Sequence, residues 1–455
     1  MAFKFHHLDK WCFANIDLAE EALEKHKKAV IVIAGASSSG KSFSAEALEK
    51  IMKVHGHKAT TISLDQYNFG LSMIIPRKVN EHFFKGSLTN IAEIGKAIKP
   101  ILLRYEFQDK YNEDCLKQIS EVLPRFLKED DIPTFLKGLA KEWSLLNFDE
   151  PSVYNLKEAA EDVKKLYENH SVAEKTYSKI CSERVASSRR INGKNYDIII
   201  VEGIYALDSS FLSELKDIPY IANFVDGNAK SLFLRRIIRD KTSTSADSAF
   251  TTHLYFKYII PSYKNTILPT RENADVVLDN NMSFEELRSG ELYITKDGFL
   301  IKNDKAAQYL LKHSEIKSQH YEKDYYFTAP GENKAVDNIL RFRLRSHDQG
   351  ASYQPGSLVH KGAPKVRKDN KIIRPINVLL NEEEILEVWK DEKSCIDDLK
   401  SADFLIEKVE EKIKSRIIYK GQNLTLFQVK GKGDYVEIVA PIHSDIIKEI
   451  KKIIK

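Results

Sequence analysis

The residues with the clearest chemical potential form one run, Gly35-Ala36-Ser37-Ser38-Ser39-Gly40-Lys41-Ser42. Its spacing is G-x-x-x-x-G-K-S. Two glycines and three serines let the backbone curl until successive N–H groups point inward, the geometry that holds phosphate oxygens. Lys41 then stands where an ammonium bridges β- and γ-phosphates, and the Ser42 hydroxyl offers a hard oxygen to Mg²⁺. Gly35, Ser37, Ser38, Ser39, Gly40, Lys41 and Ser42 are thus the expected contacts for ATP and Mg²⁺. The plainer alternative is a serine-rich turn. A strand-like run before it and a helical pattern at 43–54 favour the phosphate loop.

Phosphoryl transfer also needs a group to orient or deprotonate the acceptor, a second anchor for the metal, and positive charge over the migrating group. Asp65 follows the apolar run 59–64 and is the candidate base, or else it caps a turn. Glu202 follows the run 196–201, the place of an acid that holds Mg²⁺ or its water. Arg235, Arg236 and Arg239 lie beyond the Val225-Asp226 strand end. Arg235 and Arg239 share one helix face, as a lid over the phosphates or as a solvated surface.

Several short, β-branched runs could position these groups: 29–34, 59–64, 196–201 and 220–225, with a weaker one at 274–278. Continuous apolar runs separated by helical stretches read as a parallel sheet covered on both faces. Acids at the strand ends fit the rule that ligands gather at the carboxyl edge of such sheets. Between 70 and 146 the pattern is purely helical, either a packed insertion or a cover over the substrate pocket. Beyond 282 short alternating segments with turn residues indicate a mainly antiparallel β domain with helices near 304–313, 381–391 and 443–455. The expected organisation is a phosphate-loop α/β domain over 1–282 and an α+β, tunnel- or barrel-like domain over 283–455.

In bulk, 455 residues with 42% hydrophobic and 30% charged content describe a soluble chain of two or three domains. The net charge of +4 is mild, and no basic stripe signals nucleic acid. Four scattered cysteines suggest neither zinc nor a disulfide framework, and no segment reaches membrane-span length. A cytoplasmic setting follows as the expectation. A homo-oligomer is compatible with the sequence.

Residues 28–71 and 145–282 resemble the uridine kinase/phosphoribulokinase family. The resemblance rests on the phosphate loop, Ile62-Ser63-Leu64-Asp65-Gln66-Tyr67, Asn147-Phe148-Asp149-Glu150-Pro151, Val201-Glu202-Gly203-Ile204, Arg235-Arg236-Ile237-Ile238-Arg239-Asp240 and Leu268-Pro269-Thr270. It implies that Asp65 is the base, that Asp149 and Tyr177 face a nucleoside, that Arg184 is retained, and that Arg235–Arg239 belong to the lid. The chain departs from the family at Asn68, where an aromatic residue is usual, and at Ser182, near a usual histidine. Thr244-Ser245-Ala246 replaces a lid Arg-Gly-Arg. The nucleotide machinery is kept while the residues that read uridine are altered, so the expected acceptor is a nucleoside-like or other small hydroxyl compound.

Residues 290–440 are similar to the triphosphate tunnel (CYTH) family through Asp324-Tyr325-Tyr326-Phe327, Leu340-Arg341-Phe342-Arg343-Leu344-Arg345 and Leu358-Val359-His360-Lys361-Gly362. Arg341, Arg343 and Arg345 alternate and so share one strand face. The resemblance implies a polyphosphate or other anion there, with Lys361 and Arg374 extending the basic wall. On the metal side only Glu437 is found, and one carboxylate holds Mg²⁺ or Mn²⁺ poorly. This domain is therefore expected to bind an anion or to serve as a structural or interaction module, with poor hydrolysis. Phosphohydrolase activity and a nucleotide-gated interaction protein without turnover are the alternatives to a kinase.

Overall fold

A computed structural model describes residues 2–106, 110–243, 247–281, 294–330, 339–346, 348–362, 365–366 and 372–439, with 448, 449 and 452 beyond. The chain divides into two compact units. The first contains 1–227, 239–246 and 257–281, and the second contains 228–238, 247–256 and 282–455.

In the first unit the strands are β1 (Phe3–Phe5), β2 (Ala29–Gly35), β3 (Ala59–Ser63), β4 (Ser171–Ala173), β5 (Thr176–Ser178), β6 (Glu183–Val185), β7 (Arg190–Asn192), β8 (Ile198–Glu202), β9 (Tyr220–Asp226) and β10 (Val276–Asp279). Six of them form an all-parallel sheet in the order β1-β10-β9-β2-β8-β3. Every residue of β2 and β8 is buried, which is why both read as unbroken apolar runs rather than alternating ones. One face packs Ile31, Ile33 and Ile200 against Trp11, Ile16, Leu48 and Met52 of the helices Leu8–His26 and Lys41–Val54. β5 and β6 form a separate hairpin, as do β4 and β7.

The 70–146 stretch is helical as its periodicity requires: Leu71–Phe84, Ile91–Leu102, Glu113–Val122 and Ile132–Ser144. These helices enclose a core of their own, including Ile94, Ile98, Ile119, Phe135 and Leu139. The first two cross closely at Gly95, where an added Cβ would stand 2.7 Å from the Ser72 carbonyl oxygen.

The second unit contains β11 (Ile294–Lys302), β12 (Glu315–Thr328), β13 (Ile339–Ser346), β14 (Gln354–Lys361), β15 (Lys365–Val366), β16 (Ile372–Leu380), β17 (Leu405–Tyr419), β18 (Gln422–Val429) and β19 (Gly433–Val439). They pair antiparallel in the order β11-β19-β18-β17-β12-β13-β14-β16-β15, and β11 also pairs with β16, so the sheet closes into a ring. β11 performs the closure by changing partners: Ile294–Gly298 lie along β16 and Gly298–Lys302 along β19. The sequence suggests a turn at Asp297-Gly298. The chain instead runs straight through, since the second neighbour supplies the hydrogen bonds that a turn would have supplied.

Helices Asp304–His313, Glu382–Val388 and Glu392–Ser401 complete this unit. The segment near 443–455 lies almost wholly outside the described residues. Segments 228–238 and 247–256 group here because their aromatic residues are buried here. The Phe233 ring is 6.2 Å from Phe404, and Phe256 is 5.7 Å from Trp389, which in turn meets Phe342 at 6.3 Å. Such ring pairs add about 0.5–1.5 kcal/mol each beyond the area they bury.

Candidate active site

The phosphate loop joins β2 to the helix Lys41–Val54 at the centre of the parallel sheet. Gly35 has φ 147° and an added Cβ would meet the Val225 carbonyl oxygen at 2.0 Å, so only glycine fits beside β9. Gly40 has φ 92° and touches Asn280, whose side-chain amide donates to the Ser39 carbonyl at 2.7 Å. Ser38 takes the left-handed conformation at φ 64°, a strain a non-glycine residue accepts only where its surroundings impose it. The Ser38 hydroxyl is buried without a hydrogen-bond partner, and Ser39 is fully buried. Lys41 is 8% exposed and its Nζ donates to the Ala36 carbonyl at 2.8 Å, folded back over the loop.

Three strands deliver the remaining groups to the same edge. Glu202 ends β8, its backbone in register with Ile33 of β2 and Ser63 of β3. It is buried, with the Ser63 and Ser42 side chains close enough to act on its carboxyl. Burial and the nearby Asp65 charge push its carboxyl above the usual range, against the pull of Lys41. Burial lowers the Lys41 ammonium, opposed by Glu202, Asp65 and Asp149. Asp65 opens the short 3₁₀ turn Leu64–Tyr67 after β3. Burial acts to raise its carboxyl, but the Lys179 ammonium at 3.0 Å, with Lys41 and Arg239, holds it below the ordinary value.

The Ser42 hydroxyl and the Glu202 carboxylate are therefore neighbours at the mouth of the loop. A small hard cation between them would find two protein oxygens, as Mg²⁺ needs when phosphates and water complete its shell. These residues fit the ion.

On the acceptor side Asp149 is buried, its backbone carbonyl accepting from the Tyr205 hydroxyl at 2.6 Å. Tyr154 and Tyr177 both feel the Asp65 charge, and burial raises both phenols. Arg184, opposite Tyr177 in the β5–β6 hairpin, donates to the carbonyls of Tyr67 and Asn68 at 2.7 Å each and to Glu158 at 2.9 Å. It fastens the turn that carries Asp65. Asn68 is 3% exposed, its side-chain oxygen accepting from the Gly70 N–H.

The arginines at 235–239 are divided. Arg239 exerts its charge on Lys41 and Asp65 and pairs with Asp240 at 2.8 Å. Arg235 and Arg236 fall among the residues of the second unit, where Arg236 acts on Tyr255. Residues 244–246 lie outside the described residues. Lys179 is the residue sequence reasoning missed, because it opens the tip of a hairpin whose two strands have three residues each, too short to carry a periodic signal.

In the second unit the register puts Glu322, Asp324 and Tyr326 of β12, Arg341, Arg343 and Arg345 of β13, and Lys408, Glu410 and Lys412 of β17 on one face. Arg343 donates to Asp324 at 2.7 and 2.8 Å and to Glu322 at 2.8 Å, and Lys412 pairs with Asp324. The expectation of a single acid, Glu437, thus understates the carboxylates: Glu322 and Asp324 are fully buried inside the basic cluster. Alternation along one strand could not show this, because the pairing comes from the neighbouring strand. Arg345 pairs with Glu382, and Glu437 lies on β19 opposite Thr425 and Leu300. Arg374 stands on β16 opposite Lys296, with its side chain outside the described residues.

A phosphate loop at the carboxyl edge of a parallel sheet, with acids ending the flanking strands, is the arrangement of the P-loop kinase fold. The sequence model of the phosphoribulokinase/uridine kinase family matches residues 134–284. A uridine kinase of Macrococcus caseolyticus is 30% identical over 153 residues, 34% of this chain and 69% of that protein. A uridine kinase of Staphylococcus haemolyticus is 29% identical over 132 residues, 29% of this chain and 61% of the relative. A uridine kinase-like protein 3 of Arabidopsis thaliana is 29% identical over 144 residues, 30% of each chain. The chain belongs to the phosphoribulokinase/uridine kinase family.

Proposed function

We propose that the first unit transfers the γ-phosphoryl group of ATP to a hydroxyl of a nucleoside-like or other small acceptor. The observation that carries this reading is the gathering of Lys41, Ser42, Asp65 and Glu202 at the ends of β2, β3 and β8. Backbone N–H groups of Gly35–Ser42 bind the phosphates, and Lys41 swings from the Ala36 carbonyl to the β- and γ-oxygens. Asp65, already ionised, orients the acceptor hydroxyl and takes its proton. Arg239 stabilises charge on the migrating group. Ser42, and Glu202 directly or through a water, would hold Mg²⁺, which would supply charge neutralisation to the phosphates. Asp149 and Tyr177 contact the acceptor, and Arg184 keeps the Asp65 turn in place. Arg235 and Arg236 are assigned to the lid. The kinase domain is taken as 1–282, with the helical insertion at about 70–146 and a second domain over 283–455.

We read the second unit as CYTH-like, supported by its closed antiparallel sheet and inward arginines, with an anion bound near Arg341, Arg343, Arg345, Lys361, Arg374 and Glu437. The salt bridges on Glu322 and Asp324 speak against triphosphate hydrolysis. Four free cysteines suit a reducing cytoplasm, and among the described residues no helix is long and apolar enough to cross a membrane.

The test is ADP release from ATP and Mg²⁺ across a panel of nucleosides and small sugars. Acceptor-dependent ADP that falls about a hundredfold or more in Asp65→Asn, with nucleotide binding kept, supports the kinase. Phosphate release from triphosphate that survives Lys41→Ala but vanishes in Glu437→Ala would replace this reading with hydrolysis.

A further inference from the structure

Asp65 is covered by a cation before any acceptor arrives. The Lys179 ammonium lies 3.0 Å from the carboxylate that must meet the acceptor hydroxyl. Both side chains are open to solvent, 57% exposed at Lys179 and 37% at Asp65. An ion pair so exposed adds little to stability and is weakened by salt. Stability therefore does not account for a lysine at this place.

The backbone that carries Lys179 is held firmly. The Ser182 hydroxyl donates to the Lys179 carbonyl at 3.3 Å, and Ser182 itself takes the left-handed conformation at φ 48°. Next to it the buried Glu183 carboxylate accepts from the Ser72 N–H at 2.6 Å and from the Ser72 hydroxyl at 3.0 Å. Arg184 then bonds the carbonyls of Tyr67 and Asn68. The hairpin and the Asp65 turn are thus one assembly, and the freedom that remains lies in the Lys179 side chain.

Neighbouring cations are committed elsewhere. Arg184 pairs with Glu158 at 2.9 Å, and Lys175 pairs with Glu158 at 3.2 Å and with Asp162 at 3.1 Å. Lys78 pairs with Glu150 at 3.0 Å. Those carboxylates take no part in the transfer. Lys179 differs, because its partner is the group that has to receive the acceptor. A neutral acceptor and the ammonium compete for one carboxylate. An acceptor with an anion near its reacting hydroxyl resolves the competition, since a charge-assisted hydrogen bond to that anion replaces the one given up.

We propose that Lys179 is a specificity-determining residue of the acceptor site: its ammonium passes from Asp65 to a carboxylate or phosphate that the acceptor carries beside the hydroxyl to be phosphorylated. This rests on the kinase reading of the first unit and narrows the acceptor to hydroxy acids and sugar phosphates. The exchange opens Asp65 to the hydroxyl as the acceptor settles. The acceptor oxygen then bonds the γ-phosphorus, the bond to ADP breaks, and the hydroxyl proton passes to Asp65. The Asp149 charge, felt at Lys41 and Tyr154, repels an anion and so favours the orientation that turns it to Lys179.

Steady-state ADP release by the full chain with ATP and Mg²⁺ tests the inference at about pH 8, where an aspartate is ionised with or without its cation. The acceptors are two matched sets, glycerol with glycerate and glycerol phosphate, and ribose with ribonate and ribose phosphate. In each set kcat/KM should be higher for an anionic member than for the neutral one. Lys179→Met should lower it for that member roughly tenfold to a hundredfold, the size of a lost charged hydrogen bond, mainly through KM, so that the preference disappears. Lys179→Arg should restore the preference in part. Preference for the carboxylates or for the phosphates identifies the anion that the site takes. Equal use of neutral and anionic members by the wild type, or an equal loss for both in Lys179→Met, would overturn the inference and leave the kinase reading standing. ADP release that no acceptor stimulates, in either protein and with ATP still bound, would overturn both.

Discussion

Replacing Arg343 by methionine keeps most of the side-chain volume and removes three short hydrogen bonds, two to Asp324 and one to Glu322. The arginine side chain is 7% exposed and both carboxylates are fully buried, so water cannot take its place. Lys412 still contacts Asp324, but Glu322 keeps only contacts near 3.9 Å with Lys412 and Arg345. Breaking a buried pair by removing one partner costs about 3–5 kcal/mol. In a unit of this size each kcal/mol moves the midpoint by roughly 2–4 °C, so Arg343→Met should lower the melting temperature of the second unit by about 6–20 °C. Trp389, buried there, reports the transition by fluorescence once Trp11 and Trp143 are changed to phenylalanine. Acid gives a second readout. The cations Arg341, Arg343 and Lys412 hold the Asp324 carboxyl well below its ordinary value against the opposing effect of burial. A depressed carboxyl contributes stability above its unfolded pKa of about 3.9 and loses it as pH falls further. The variant should therefore lose less stability than the wild type between neutral and acid pH. A midpoint shift under about 2 °C, or an unchanged acid dependence, would refute the assignment of this ion-pair cluster as a buried, mutually dependent unit.

Gly35→Ala should abolish ATP-analogue binding in equilibrium titration and lower the stability of the first unit, because its Cβ would lie 2.0 Å from a backbone oxygen of β9. Full binding with an unchanged melting point would show that the loop can yield. Lys179→Met removes the nearest cation that holds the Asp65 carboxyl down. Asp65 should then protonate at higher pH, moving the acid limb of kcat/KM for any accepted substrate upward. An unmoved limb would separate Lys179 from the base.

How far the sequence revealed the molecule depended on the range over which the signal acts. β2 and β8 are legible because burial on both faces demands an unbroken apolar run, and the phosphate loop because its glycines and lysine lie within eight residues. β1 is three residues long, too short for any period, and owes its existence to β10. The helical insertion shows itself through its amphipathic spacing. Ion pairs on the inner face of the ring were hidden, since Asp324 and Arg343 are nineteen residues apart and meet only through strand register. The division of the 235–239 arginines was hidden too. Helical spacing shows which of them share a face, but not which compact unit buries each turn.

The partner change in β11 bears on how the second unit comes together. This strand is the earliest of its ring in chain order, yet its pairing from Lys302 to Tyr435 joins segments at opposite ends of that unit. Contacts so distant in sequence form late, because a long loop must close before they contribute. The ring therefore begins as an open sheet whose seam is completed last, and the same seam is the natural first place for exchange of backbone amide hydrogens when the ring breathes.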